Sequence, residues 1–102
     1  MRSAEVFQQK KLAGLLEELE DNSFRFTYLP DYEGEPVSFA MPIKQKIYNF
    51  KKFPPVFEGL LPEGIMLEAF LRQKKIDRDD YFSQLVEVGK DLVGSLTIKA
   101  VK

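Results

Sequence analysis

Three prolines and two glycines crowd into one stretch of the chain, FPPVFEGLLPEG, from Phe53 to Gly64. Proline removes a backbone donor and fixes φ, and glycine marks turns, so no long strand or helix is expected to run through it. The stretch separates two halves with different hydrophobic periods.

The half before it reads mostly as strands. Ala4–Phe7 is a short candidate, and Phe24-Arg25-Phe26-Thr27-Tyr28 alternates strictly between aromatic and polar, as in a strand with one buried face. Leu29–Gly34 reads as a turn or short loop. Val37-Ser38-Phe39-Ala40-Met41 alternates again and stops at Pro42, and Ile47–Phe50 is one more short extended piece. Between them, Leu12–Leu19 is ambiguous. Its Leu, Ala and Glu favour a helix, which is the reading its residues alone support better, whereas Gly14 allows a bent strand.

The half after it reads as two helices and a strand. Pro62 suits a first helical turn, and Met66, Leu67, Phe70 and Leu71 share one helical face. A second helix starts with Asp77 as cap, Asp80 in the capping-box position, and Ile76 and Tyr81 as the staple pair. Its stripe is Tyr81, Phe82, Leu85 and Val86, and Gly89 is placed for a left-handed stop. Ser95–Val101 alternates and returns as a strand. The expected class is α+β: a mostly antiparallel sheet with two consecutive helices near the C-terminus and a final strand, in one domain spanning 1–102.

Composition narrows the function. Fifteen basic residues face sixteen acidic ones for a net charge of −1, which gives no long-range attraction to nucleic acid or to an anionic membrane. Histidine and cysteine are both absent. That removes the commonest general base, the commonest metal ligand and the thiolate nucleophile. No disulfide framework is available, no apolar signal-peptide core is visible and no apolar run would span a bilayer, so a cytoplasmic setting is expected.

The remaining constellations have plain structural readings. Ser3, Ser23, Ser38, Ser83 and Ser95 have no histidine to activate them. Asp77, Asp79 and Asp80 form a carboxylate cluster, but helix capping accounts for two of the three. Glu17, Glu18, Glu20 and Asp21 read as a solvated face or turn. Gly89–Ser95 mimics part of a phosphate loop, yet it lacks the Gly-Lys-Ser/Thr ending and follows a helix rather than a strand. Phe24, Phe26 and Tyr28 with Arg25 could stack single-stranded nucleic acid, but with balanced charge the core face of a strand is the better reading. Lys44, Lys46, Lys51 and Lys52 read as a solvated edge. No catalytic residue, cofactor or metal is expected.

Phe53–Gly64 stands apart, because a rigid proline-built loop loses little entropy on docking. Phe53, Phe57, Leu60 and most of Leu61 are expected on the core side. Pro62, Glu63, Gly64 and the following Ile65 are the expected binding tip.

These residues also carry a family resemblance over nearly the whole chain. Pro55, Phe57 and Leu60–Gly64, then Gly89, Asp91 and Gly94, resemble the pattern of the N-terminal domain of HipA-type serine/threonine kinases, toxins of bacterial toxin–antitoxin modules. Ser38–Pro42 is similar to a Ser-x-x-Leu-Pro strand end, with Met41 in the leucine place. The resemblance implies that Lys11–Leu19 is a strand after a hairpin. It also places the kinase core downstream of this domain, with no counterpart here of that core's phosphate loop or its catalytic and metal-binding aspartates. The chain ends near the domain end, so the implied type is the freestanding, HipS-type form of three-part modules. The implied function is that of an antitoxin that binds and inhibits a HipT-like kinase. A HipB-like DNA-binding protein would join through the complex, with no direct nucleic-acid contact; a required kinase lobe or subunit is the alternative. The implied contacts are Leu61, Pro62, Glu63, Gly64 and Ile65. Relatives often carry a bulky aromatic after LLPEG, so Ile65 would be a smaller plug.

Overall fold

In the computed structural model, residues 2–90, 92 and 94–101 are described. The chain begins as a hairpin of β1 (Arg2–Gln8) and β2 (Lys11–Glu18), joined by Gln9 and Lys10. Both linking residues have positive φ, 50° and 70°, the signature of the tight turn whose twist matches the strands it joins. Leu12–Leu19 is thus resolved in favour of the strand that the family resemblance implied. Its register slips between Val6 and Phe7, and Gly14 lies beside the bulge. A Cβ on Gly14 would come within 2.3 Å of the Thr27 carbonyl oxygen, so only glycine lets β2 lie this close to its neighbour.

β3 (Phe24–Tyr28) and β4 (Ile47–Phe50) follow, and β5 (Leu96–Ala100) closes the sheet. All pairings are antiparallel, in the order β4-β3-β2-β1-β5. One face is buried: Ala4 and Val6 from β1, Ala13 and Leu16 from β2, Phe24, Phe26 and Tyr28 from β3, and Ile98 from β5. The aromatic alternation of β3 is therefore core, and its rings are not available as a stacking platform. Lys44, Lys51 and Lys52 are exposed around the edge strand β4, where positive charge discourages pairing with another chain.

Phe57, Phe82 and Leu85, from two of the three helices, cover the buried face. α1 (Pro55–Glu58) is a single turn with proline at its first position, α2 spans Gly64–Lys74 and α3 spans Tyr81–Val88. The architecture is the expected α+β class, with α1 as an additional turn inside the proline-rich segment.

Four local expectations are corrected. Val37–Met41 is no strand; only an isolated Ser38↔Met41 bridge forms, and the alternation is broken because Phe39 points into solvent. α3 starts three residues later than expected. Asp80, not Asp77, is its cap: its carboxylate accepts from the Ser83 N–H at 3.2 Å and from the Ser83 hydroxyl at 2.7 Å. The Asp77 carbonyl instead accepts from the buried Gln84 side chain, and the later start takes Ile76 and Tyr81 out of the staple positions. Gly89 ends α3 with an ordinary right-handed φ of −62°, not a left-handed one. Glycine is needed there for space, since a Cβ would lie 2.4 Å from the Ile98 Cβ. Finally, Pro62 precedes α2 rather than opening it, and Met66 is exposed while Leu71 carries the burial. Asp91 of the Gly-x-Asp-x-x-Gly pattern lies outside the described residues.

Candidate partner-binding site

The tip is built outward from the core. Phe53 packs edge-on against Phe24 at 5.2 Å between ring centres, and Phe57 tilts against Phe26 at 5.9 Å. Phe57 is fully buried, and so is Pro54. The backbone then makes two tight turns, Leu60 N–H to Phe57 carbonyl and Leu61 N–H to Glu58 carbonyl, each at 3.1 Å. Leu61 is the last anchor, at 9% exposure. Leu60 is only partly buried, so it belongs to the flank of the core.

Beyond Leu61 the chain turns out. Pro62 is half-buried and Glu63 is exposed in an extended conformation. Gly64 has φ +58° with nothing near its missing Cβ, so its backbone conformation, not crowding, calls for glycine. That turn projects Ile65, 86% exposed, and Met66, 71% exposed, from the start of α2. A cleft of about 310 Å³ lies beside them, lined by Glu58, Leu61, Pro62, Glu63, Gly64 and Leu67 with Tyr81 and Gln84 of α3. Among the described residues neither Glu58 nor Glu63 has an ion-pair partner. The tip is thus an apolar knuckle between two free carboxylates. Of the expected contact residues, Glu63, Gly64 and Ile65 are exposed, Pro62 is half-buried and Leu61 is buried, and Met66 is exposed beside them.

A larger cleft of about 700 Å³ lies between the sheet and the start of α3. Arg2, Glu18, Asp80 and Arg78 on its walls are paired, whereas Lys51, Lys52, Asp77 and Asp79 have no ion-pair partner among the described residues. Arg2 meets Glu18 at 2.7 Å and Asp80 at 3.0 Å, donates to the Ser83 hydroxyl at 2.9 Å, and lies 4.9 Å over the Phe82 ring. The Arg2 hydrogen bond holds the Glu18 carboxyl below its ordinary range. Desolvation pushes the Asp80 carboxyl up, but Arg2 and Ser83 together outweigh it and hold it down. This cluster ties the first hairpin to α3. It also explains part of the acidic run: Glu18 pairs with Arg2, and Glu17 with Arg25 at 3.4 Å. Among the described residues no group of acidic side chains is arranged to hold a metal ion, and no helix is long and apolar enough to cross a membrane.

Sequence reasoning missed Phe39, which is 95% exposed. Its alternating neighbours Val37 and Met41 are buried, so periodicity pointed the wrong way for the residue between them. The only available hint was its free place in the Ser-x-x-Leu-Pro pattern.

Fold and site together define a small α+β domain, with its helices on one face of an antiparallel sheet and an exposed apolar tip between α1 and α2. The family described as HipA N-terminal domain matches residues 4–99, and the chain belongs to that family. A solved N-terminal domain of HipA toxin is similar over 100% of this chain and 94% of its own, with TM-score 0.79 and 31% identity. An uncharacterised protein of Haemophilus influenzae (strain Rd) is 34% identical over 102 residues, covering 100% of this chain and 95% of the relative.

Proposed function

We propose that this chain is a HipS-like antitoxin, working in the cytoplasm, that binds a HipT-like serine/threonine kinase and inhibits it. The observation that carries the reading is the tip: Ile65 stands 86% exposed on a backbone anchored by Phe57 and Leu61. An apolar side chain fixed in this way loses little freedom when it enters a socket, and its burial is worth about 25 cal/mol per Å². Leu61–Ile65 contact the kinase near its nucleotide or substrate cleft. The free carboxylates of Glu58 and Glu63 favour a socket with basic walls. A HipB-like DNA-binding protein joins through the kinase rather than through this chain.

The test is co-purification with a HipT-like kinase from the same genome, followed by autophosphorylation with and without this chain. A complex with suppressed phosphorylation supports the reading; no complex, or an unchanged rate, defeats it. The similarity to a domain of a HipA toxin favours one second reading, a lobe that such a kinase requires. Stimulated phosphorylation in the same assay selects it.

A further inference from the structure

We infer that the cleft beside the tip is a socket for an arginine side chain of the partner. The inference deepens the kinase-binding reading above, on which it rests for the partner's identity, and names the residue type that the partner brings to this face.

The cleft holds about 310 Å³, at the lower end of the roughly 300–1,000 Å³ of small-molecule pockets, so it suits one long side chain better than a cofactor. Its full charges have one sign. Glu58 and Glu63 line it and, among the described residues, no lysine or arginine does. Neither carboxylate has an ion-pair partner among the described residues. The start of α2 at Gly64 contributes a positive helix end worth about half an elementary charge, which two full carboxylates outweigh.

Gln84 of α3 calls independently for a donor. It is 1% exposed and lines the cleft. Its Nε2 donates to the Asp77 carbonyl at 3.1 Å and to the Arg78 carbonyl at 3.0 Å. Those carbonyl partners fix which end of the amide is the nitrogen, because an oxygen there could donate to neither. Oε1 is therefore the spare end. Among the described residues it accepts no hydrogen bond, and unlike Gln8 Oε1 it is not sealed inside the protein. An open acceptor on an otherwise buried side chain needs a donor from outside. Tyr81 adds a ring steadied by Phe53 at 5.6 Å, and Leu61 and Leu67 add apolar wall.

A guanidinium satisfies all of these at once. Its planar fork of N–H donors serves the carboxylates and the Gln84 oxygen together, it stacks on an aromatic ring, and its stem lies along leucine. Lysine brings a compact and strongly hydrated charge that cannot fork or stack in this way. A neutral side chain leaves both carboxylates uncompensated. The cleft adjoins Ile65, so the contact runs both ways: Ile65 enters the partner, and an arginine of the partner enters this chain.

The experiment follows NMR signals of the whole chain as N-acetyl-arginine amide is added, with the lysine and citrulline analogues in parallel; citrulline keeps the shape of arginine without its charge. The arginine compound is expected to shift the Gln84 side-chain amide, the Tyr81 ring and the Leu67 methyls together, the lysine compound to bind more weakly and the citrulline compound not at all. Glu58→Gln combined with Glu63→Gln keeps the wild-type Tm, since both side chains are exposed, and weakens arginine binding about tenfold. Signals that stay still, that move equally with all three compounds, or that move equally in E58Q/E63Q overturn the inference. In calorimetry against a HipT-like kinase from the same genome, E58Q/E63Q is expected to bind about tenfold more weakly and with less dependence on salt. If E58Q/E63Q binds the kinase like wild type while Ile65→Glu does not, the socket falls and the tip reading stands. If the chain binds the arginine compound but no kinase, the kinase reading falls and the socket stands.

Discussion

The Tyr28 hydroxyl sits 2.6 Å from the Met41 carbonyl oxygen, at the centre of a bond pair that also takes in the Val37 N–H. Tyr28→Phe leaves both buried backbone groups unpaired, which costs about 2–3 kcal/mol and is read as a lower urea midpoint. The same residue sets an alkaline limit. Burial pushes its hydroxyl above the ordinary value of 10.0. A raised folded value means that the stabilisation is complete below 10.0 and fades as pH climbs through the folded value. Y28F therefore shows a shallower alkaline loss, with the share of Tyr32, also raised by burial, still present.

The Arg2 cluster sets the acid limit. Glu18 and Asp80 are both held below their ordinary values of 4.5 and 3.8. Depressed carboxyls contribute stability above those values, and that stability is lost as pH falls through the folded ones. Much of the cluster is open to solvent, so Arg2→Met lowers stability at pH 7 by under about 1 kcal/mol. Thermal melts of wild type and R2M converge as pH drops below the folded values, and a constant gap down to pH 2 contradicts this account.

The first hairpin turns on residues poorly suited to it. Gln9 and Lys10 hold positive φ where Asn-Gly is preferred. Replacing them with Asn-Gly raises stability by about 1 kcal/mol, or a Tm gain of roughly 4–8 °C, and leaves the Leu61–Met66 tip untouched.

Two glycines separate folding from binding. Gly89→Ala drives a methyl into Ile98 and destabilises the domain by about 1–3 kcal/mol or more. Gly64→Ala meets no atom, so it costs only about 1 kcal/mol of backbone strain. Because Gly64 aims Ile65, G64A nevertheless weakens kinase binding more than G89A does under conditions where both are folded.

The regular elements were legible wherever side-chain period and burial agree. β3 ran as its alternation indicated, and α3 carried Phe82 and Leu85 of its expected stripe, with Val86 partly buried and Tyr81 exposed. Boundaries were lost where two aspartates compete, since Asp77 and Asp80 are equally good caps in isolation and only the Arg2 and Ser83 contacts favour Asp80. β2 was ambiguous because its leucines and glutamates favour a helix, and its strand state depends on neighbours on both sides. The tip was legible because Pro62 and Gly64 punctuate it. The exposure of Phe39 was not, because its buried neighbours Val37 and Met41 fit the alternation of a strand that the turn between them breaks.

The most direct test titrates this chain into a HipT-like kinase and follows autophosphorylation, with Ile65→Glu in parallel. Ile65 is 86% exposed, so I65E keeps the wild-type Tm. The wild-type chain is expected to suppress phosphorylation to near zero at about one equivalent, and I65E to leave the kinase active at the same dose. A kinase rate that is unchanged or raised by the wild-type chain, or suppressed equally by I65E, contradicts it.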